Sequence, residues 1–168
     1  MTRWARILKH RWWDETDTAR AVPSAALARI EAQVAASEAV HRGEIRVCVE
    51  ASLPLSYLWR GLSVRDRAIM MFSKLRVWDT AANTGVLIYV LLAERAIEIV
   101  ADRGLNQHVS TAQWQALLER MRPALHQGDF ERGLSEAVRE VGRLLDTHHP
   151  LRDGPADRDE LPNAPYLG

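Results

Sequence analysis

The spacing of apolar residues divides this chain into extended and helical stretches. Two runs, Val86–Leu92 and Ala96–Ala101, are so dense in Val, Ile, Leu and Tyr that they read as buried strands. Gly85 opens the first, Ala93-Glu94-Arg95 separates the two, and Asp102-Arg103-Gly104 closes the second. So short a link forces the strands to lie antiparallel as neighbours. Upstream, in Glu44–Ala51, Ile45, Val47 and Val49 alternate with Glu44, Arg46, Cys48 and Glu50, which predicts a strand with one strongly apolar face. Between these stretches Ser63 and Asp66 form an S-x-x-D cap, and Val64, Ala68, Met71, Phe72 and Leu75 make the inner stripe of a helix. Strand, helix and strand form a βαβ unit, whose strands run parallel. With the antiparallel third strand added, the core is a small mixed sheet.

Helices flank it. Pro23 and Ser24 begin one over Ala25–His41, with Leu27, Ile30, Val34 and Val40 inward and Gly43 placed to end it in a left-handed cap. Leu53–Leu62 reads as a loop whose Tyr57 and Trp59 fold it back over the core. Ser110 and Gln113 form a capping box ahead of Trp114, Leu117, Leu118 and Met121, and Pro123 bends or ends that helix. Asp129 is a natural N-cap for a long helix marked by Phe130, Leu134, Ala137, Val138, Val141, Leu144 and Leu145. Helices before, between and after the strands predict an α/β fold, a small mixed β-sheet sandwiched between helices (α/β/α) in one domain. The domain spans residues 23–147. Four of the seven prolines (Pro150, Pro155, Pro162, Pro165) fall in residues 148–168, which read as a disordered tail.

Residues 1–22 carry an amphipathic, Trp-rich helix. Trp4, Ile7, Leu8 and Trp12 share one face, with Arg3, Arg6, Lys9 and Arg11 elsewhere. Such a face packs on the chain's own core or another subunit, or lies on an anionic membrane surface. Asp14, Glu15 and Asp17 follow and weaken attraction to anionic lipid.

Composition narrows the function. Lys+Arg and Asp+Glu are both 22 in 168 residues, so the net charge is zero and a general nucleic-acid binder is disfavoured. The single Cys48 excludes an internal disulfide and a Cys-rich zinc site, and reads as a half-buried structural thiol. The longest apolar run, Val86–Ala93, falls far short of the ~20 residues that span a bilayer. Met1–Trp13 lacks the apolar segment of a signal peptide, so a soluble cytoplasmic protein is expected.

Four segments together resemble the TPM domain: HRGEIRV (His41–Val47), LRVWDT…GVLIYV (Leu75–Val90), IVADRGL (Ile99–Leu105) and P-x-L-x-x-G-D-F-x-x-G-L (Pro123–Leu134). They stand in its order and spacing over roughly residues 25–146, and resemble its short, stand-alone bacterial form. The resemblance implies a mixed sheet between helices. It also implies one of the roles described in that family: acid phosphatase, assembly or repair module, or binder of calcium and other divalent ions. Many relatives carry Arg-Asn before the Gly-Val-Leu of the central strand; here Asn83-Thr84 stands there.

The residues themselves show no hydrolase motif. Cys48 has Pro54, not Arg, six positions on, and there is no G-x-S-x-G elbow, Walker loop or H-E-x-x-H pair. His148-His149 reads as a solvated helix end. The inferred topology places Glu44, Asp79 and Asp102 toward one edge of the sheet. With Asn83 or loop carbonyls, they are candidate ligands for a hard cation such as Ca²⁺ or Mg²⁺. The alternative is that each caps a helix or pairs with a local arginine, Arg46, Arg76 or Arg103. Glu98, opposite in facing to Ile97 and Ile99, is expected to be ion-paired near a helix. Two functions follow. One is a divalent-cation-binding assembly or interaction module that engages a protein partner or membrane surface through Trp4, Trp12, Tyr57 and Trp59. The other is a metal-assisted acid phosphatase, which has no evident nucleophile here.

Overall fold

The structure, a computed structural model, describes residues 3–13, 15–151 and 160–168; Asp14 and Pro155 lie outside the described residues. Its centre is a four-stranded mixed sheet in the order β3-β2-β1-β4. Strands β1 (Ile45–Glu50) and β2 (Val86–Leu91) pair in parallel, with Ile45 opposite Val86 and Glu50 opposite Leu91. Strand β3 (Ala96–Ala101) returns antiparallel, Val86 opposite Ala101. A 3₁₀ turn over Leu92–Glu94, closed by Arg95 in the left-handed region, makes the reversal. The mixed sheet between helices is therefore as the apolar pattern predicts.

Alternation divides the sheet's two faces. Ile45, Val47, Val49, Val86, Ile88, Val90, Ile97 and Ile99 meet α3 (Ser24–Glu38), α7 (Thr111–His126) and α8 (Phe130–His148). Helix α8 contributes Leu134, Ala137, Val138, Val141 and Leu145, one stripe at helical spacing, and Asp129 caps it by accepting from the Arg132 N–H. On the other face Cys48, Leu87, Tyr89, Leu91 and Val100 pack with α4 (Leu55–Arg60), α5 (Val64–Lys74) and Leu161. Both expected capping boxes, Ser63 with Asp66 and Ser110 with Gln113, form reciprocally. Glu98 pairs with Arg65 of α5 at 3.4 Å, as expected of it.

Several elements differ from the sequence reading. Leu53–Leu62 holds a short helix, α4, because Pro54 sets its first turn and Gly61, at φ 67°, ends it. Helix α3 stops at Glu38 with a right-handed cap; Gly43 is not its terminator. Gly43 instead lies where an added Cβ would be 2.3 Å from the Leu145 side chain. Pro123 does not end α7, which continues through it to His126, since a proline in the last turn removes only one helical hydrogen bond. Two short helices, α2 (Glu15–Ala21) and α6 (Arg103–Asn106), carry too little apolar periodicity to be foreseen.

The largest difference is the C-terminal tail, which is not disordered over residues 160–168. Tyr166–Leu167 forms β4, parallel to β1, with Tyr166 opposite Cys48 and Leu167 opposite Val49. The Gly168 N–H continues the ladder to the Val49 carbonyl at 3.1 Å. Composition argues for disorder because apolar residues are sparse there; the segment is held by backbone pairing and two side-chain anchors, which composition does not register. His148 and Pro150 are also ordered, His148 as the last residue of α8 and Pro150 in a bridge with His41. No helix among the described residues is long and apolar enough to cross a membrane.

Candidate functional site

Helix α1 (Arg3–Arg11) docks in an unexpected orientation. Of its apolar face only Ile7 turns inward, while Trp4, Leu8 and Trp12 are exposed, Trp12 to 84% and Trp4 to 64%. The reason is polar. His10 is buried, and its Nδ1 accepts from the Leu53 N–H at 3.0 Å. The ring proton therefore sits on Nε2, which donates to Glu94 Oε1 at 2.8 Å. Arg6 donates to the same oxygen at 2.7 Å and to the Leu62 carbonyl at 2.7 Å. Burial alone would raise the Glu94 carboxyl, but the hydrogen bonds from His10 and Arg6 and the Arg6 charge outweigh it and hold it at about 2. This anchor fixes the rotation of α1 and leaves its tryptophans outward.

The outward face is continuous with α4. Trp4 meets Trp59 edge to face, ring centroids 5.7 Å apart, and Trp59 is itself 49% exposed. Leu8 and Leu55 are exposed on the same two helices, as are Lys9, Arg11 and Arg60. Tyr57 faces the other way, partly buried under the Arg67 guanidinium, 5.3 Å from its ring centroid. Trp4 and Trp59 thus form an exposed aromatic pair, Trp12 is exposed just past the end of α1, and Tyr57 packs against the core.

The three candidate carboxylates meet three different partners. Glu44 is buried and accepts from the Glu160 N–H at 3.3 Å and the Leu161 N–H at 3.2 Å. Asp79 is exposed and pairs with Arg76. Asp102 caps α6, its Oδ1 accepting from the Arg103 N–H at 2.7 Å, while its Oδ2 is buried with no partner among the described residues. Asn83, at φ 54°, accepts at Oδ1 from Arg103 at 2.9 Å. The Asn83 loop sits so close that a Cβ on Gly85 would lie 1.9 Å from the Val77 carbonyl oxygen, and one on Gly104 2.4 Å from that of Asn83. Capping and local pairing, the alternative to a cation site, describe Asp102 and Asp79. Among the described residues no three His, Cys, Asp or Glu side chains are placed to hold a metal ion.

A buried polar group escaped the sequence reading. Tyr89 donates to Glu50 Oε2 at 2.6 Å, and Arg67 donates to both Glu50 oxygens, 2.7 Å at Oε2. Burial and the Glu50 charge raise the Tyr89 hydroxyl well above its usual range, so it stays a donor. Cys48 beside it is fully buried, and burial followed by the Glu50 charge keeps it a thiol. It is not the half-buried residue expected, because the docked tail and α5 cover the polar side of β1. The one available signal was Glu50 alternating onto that side. His148 and His149 are not simply solvated: His148 stacks on His108 at 5.0 Å, and His149 Nε2 lies 3.0 Å from the Gly104 carbonyl.

Residues 16–144 match the model of the TPM domain. Among solved structures, the BA42 protein of the psychrophilic bacterium Bizionia argentinensis is 29% identical with a TM-score of 0.75, covering 88% of this chain and 95% of that one. The N-terminal domain of a P. gingivalis protein is 19% identical with a TM-score of 0.61, covering 77% of this chain and 81% of its own, and shares the fold. No curated protein matches the sequence. The matched region covers most of the chain, which belongs to the TPM domain family.

Proposed function

We propose that this TPM-domain protein is an interaction module that docks on an anionic membrane surface through the exposed Trp4–Trp59 pair and Trp12. One observation carries the reading: tryptophans from two helices meet in a solvent-exposed edge-to-face pair. A lone exposed apolar residue needs no explanation, but a pair of indoles in contact across two helices that also expose Leu8 and Leu55 does. Indoles suit the interface between headgroups and acyl chains, having an apolar body and one N–H. Lys9, Arg11 and Arg60 supply the charge that anionic headgroups attract. The His10–Glu94–Arg6 anchor supports the reading, because it holds α1 with Trp4 outward. The test is co-sedimentation with phosphatidylserine-containing and pure phosphatidylcholine vesicles. Binding to the anionic vesicles that weakens with salt, and falls several-fold in Trp12→Ala and Trp4→Ala, is the expected result. No binding to either vesicle, with Trp-dependent self-association or protein binding instead, assigns the face to a protein partner.

A second reading, binding of Ca²⁺ or Mg²⁺, is supported by the orphaned Asp102 Oδ2. Glu44 and Asp79 are engaged elsewhere, so Asp102 would act with carbonyls of the Asn83 loop and not as one of three converging carboxylates. A cation held only by the folded state stabilises it by about 2.7 kcal/mol at a hundredfold excess over Kd. Millimolar cation should then raise the melting temperature by a few degrees in the natural chain and not in Asp102→Asn. Equal shifts in both remove the site. Phosphomonoester hydrolysis is supported less, since the one cysteine is buried and held as a thiol; turnover of a generic phosphomonoester, lost in Asp102→Asn, would revive it.

A further inference from the structure

Helices α7 and α8 gather three guanidinium groups around one carboxylate. Glu140 accepts from Arg120 of α7 at 2.9 Å and from Arg143, further along α8, at 3.1 Å. Arg139 stands 3.9 Å from the same carboxylate, beyond hydrogen-bond distance, and has no closer acidic partner among the described residues. The Glu140 side chain is only 17% exposed, whereas each of the three arginines is more than half exposed. Between the helices lies a cleft of about 230 Å³, lined by Arg120, Met121, Glu136, Arg139 and Glu140.

The charges there do not balance. Three guanidinium groups to one carboxylate leave two positive charges over. The second acid of the cleft, Glu136, is matched by Arg132 at 3.1 Å. Asp146 borders the adjoining groove between α3 and α8 with Arg139 and Arg143, and offsets part of the excess from that side. Arg139 and Arg143 also lie four residues apart on α8, a spacing at which like charges repel. An added anion relieves that repulsion, and guanidinium forks suit the paired oxygens of phosphate and carboxylate groups. The cleft is separate from the Trp4–Trp59 pair: α7 and α8 cover one face of the sheet, whereas α4 and Ile7 of α1 pack on the other.

We propose that the α7–α8 cleft binds a small oxyanion carrying two or more negative charges, the chemistry shared by inorganic phosphate and compact polycarboxylates. Arg120 and Arg139 grip it from the two helices, and Arg143 adds its charge from α8. Glu140 has a double part: it draws the guanidinium groups together, and it repels the incoming anion. Removing its charge while keeping its shape therefore tightens binding, the opposite of what the loss of an arginine does. The arginines are exposed to solvent, so salt screens the attraction and binding weakens as ionic strength rises.

The test is titration of the full chain with inorganic phosphate and, separately, with citrate, followed by amide NMR at constant ionic strength, with sodium chloride as the control. Saturable shifts centred on Arg120, Arg139 and Glu140 are expected, and the anion that saturates at the lower concentration identifies the source. Arg120→Gln and Arg139→Gln should each weaken binding about fivefold, the most that one exposed ion pair contributes. Glu140→Gln should tighten it several-fold. Arg122→Gln makes the same charge change on α7, beside Glu119, and should leave binding unaltered. Shifts that grow linearly with both anions, or that sodium chloride reproduces, would overturn the proposal. Equal weakening by Arg122→Gln and Arg139→Gln would overturn it too, since the attraction would then belong to the whole surface and not to the cleft.

Discussion

The two faces of the sheet are buried by different means. Against α3, α7 and α8 the contact is almost wholly hydrocarbon, with Ile30, Ile88, Met121, Leu134 and Leu145 among its closed side chains. Against the other face, hydrocarbon from α4 and α5 surrounds a carboxylate, a guanidinium and a phenol. Two of the segments on that side, α1 and residues 160–168, lie outside the region matched to the family. The hydrocarbon face specifies a fold. The polar face needs every donor and acceptor partnered to remain buried, and so depends on which segments are docked there.

The sharpest way to break this contrast is Ile88→Asp, which places an unpaired charge in the hydrocarbon face. Its cost of several kcal/mol is set against a total of roughly 5–15 kcal/mol, so no cooperative melting transition should remain. A soluble variant that melts cooperatively would mean the first face is not the foundation.

Glu50→Ala should cost somewhat less, about 3–5 kcal/mol, because it strands the buried Arg67. Tyr89→Phe removes one donor and should cost about 1–2 kcal/mol by chemical denaturation. If the two variants cost the same, the pair contributes no more than a single hydrogen bond.

Truncation after Leu151 removes the Leu161 and Tyr166 anchors and uncovers the β1 edge. A loss of about 2–4 kcal/mol, or several degrees in melting temperature, is expected. An unchanged melting temperature would show that the tail contributes pairing without net stability.

The smallest effect concerns α1. Glu94 sits at about 2 against an ordinary 4.5, so its contribution is complete above about pH 4.5 and is lost as the pH falls toward 2. Across that window Trp fluorescence should report loosening of α1, and Glu94→Gln should show the acid-side signal already at neutral pH. Identical pH profiles for both would place the anchor elsewhere.

Much of this was legible in the residues. Period-2 alternation in β1 and the dense runs of β2 and β3 determined the strands, and the short Ala93–Arg95 link determined their antiparallel pairing. Ser63, Ser110 and Asp129 determined where three helices begin, because a cap is a local bond between residues three apart. What depends on partners distant in sequence was decided only in three dimensions. The rotation of α1 follows from Glu94, 84 positions from His10, and overrides the apolar stripe that would turn Trp4 and Trp12 inward. The burial of Glu44, Arg46 and Glu50 follows from the docking of residues more than a hundred positions away and from Arg67. Glu44 and Asp79 share a sheet edge in the linear reading but turn to different partners, since an edge fixes a backbone position and leaves the side chain to whichever donor lies nearest.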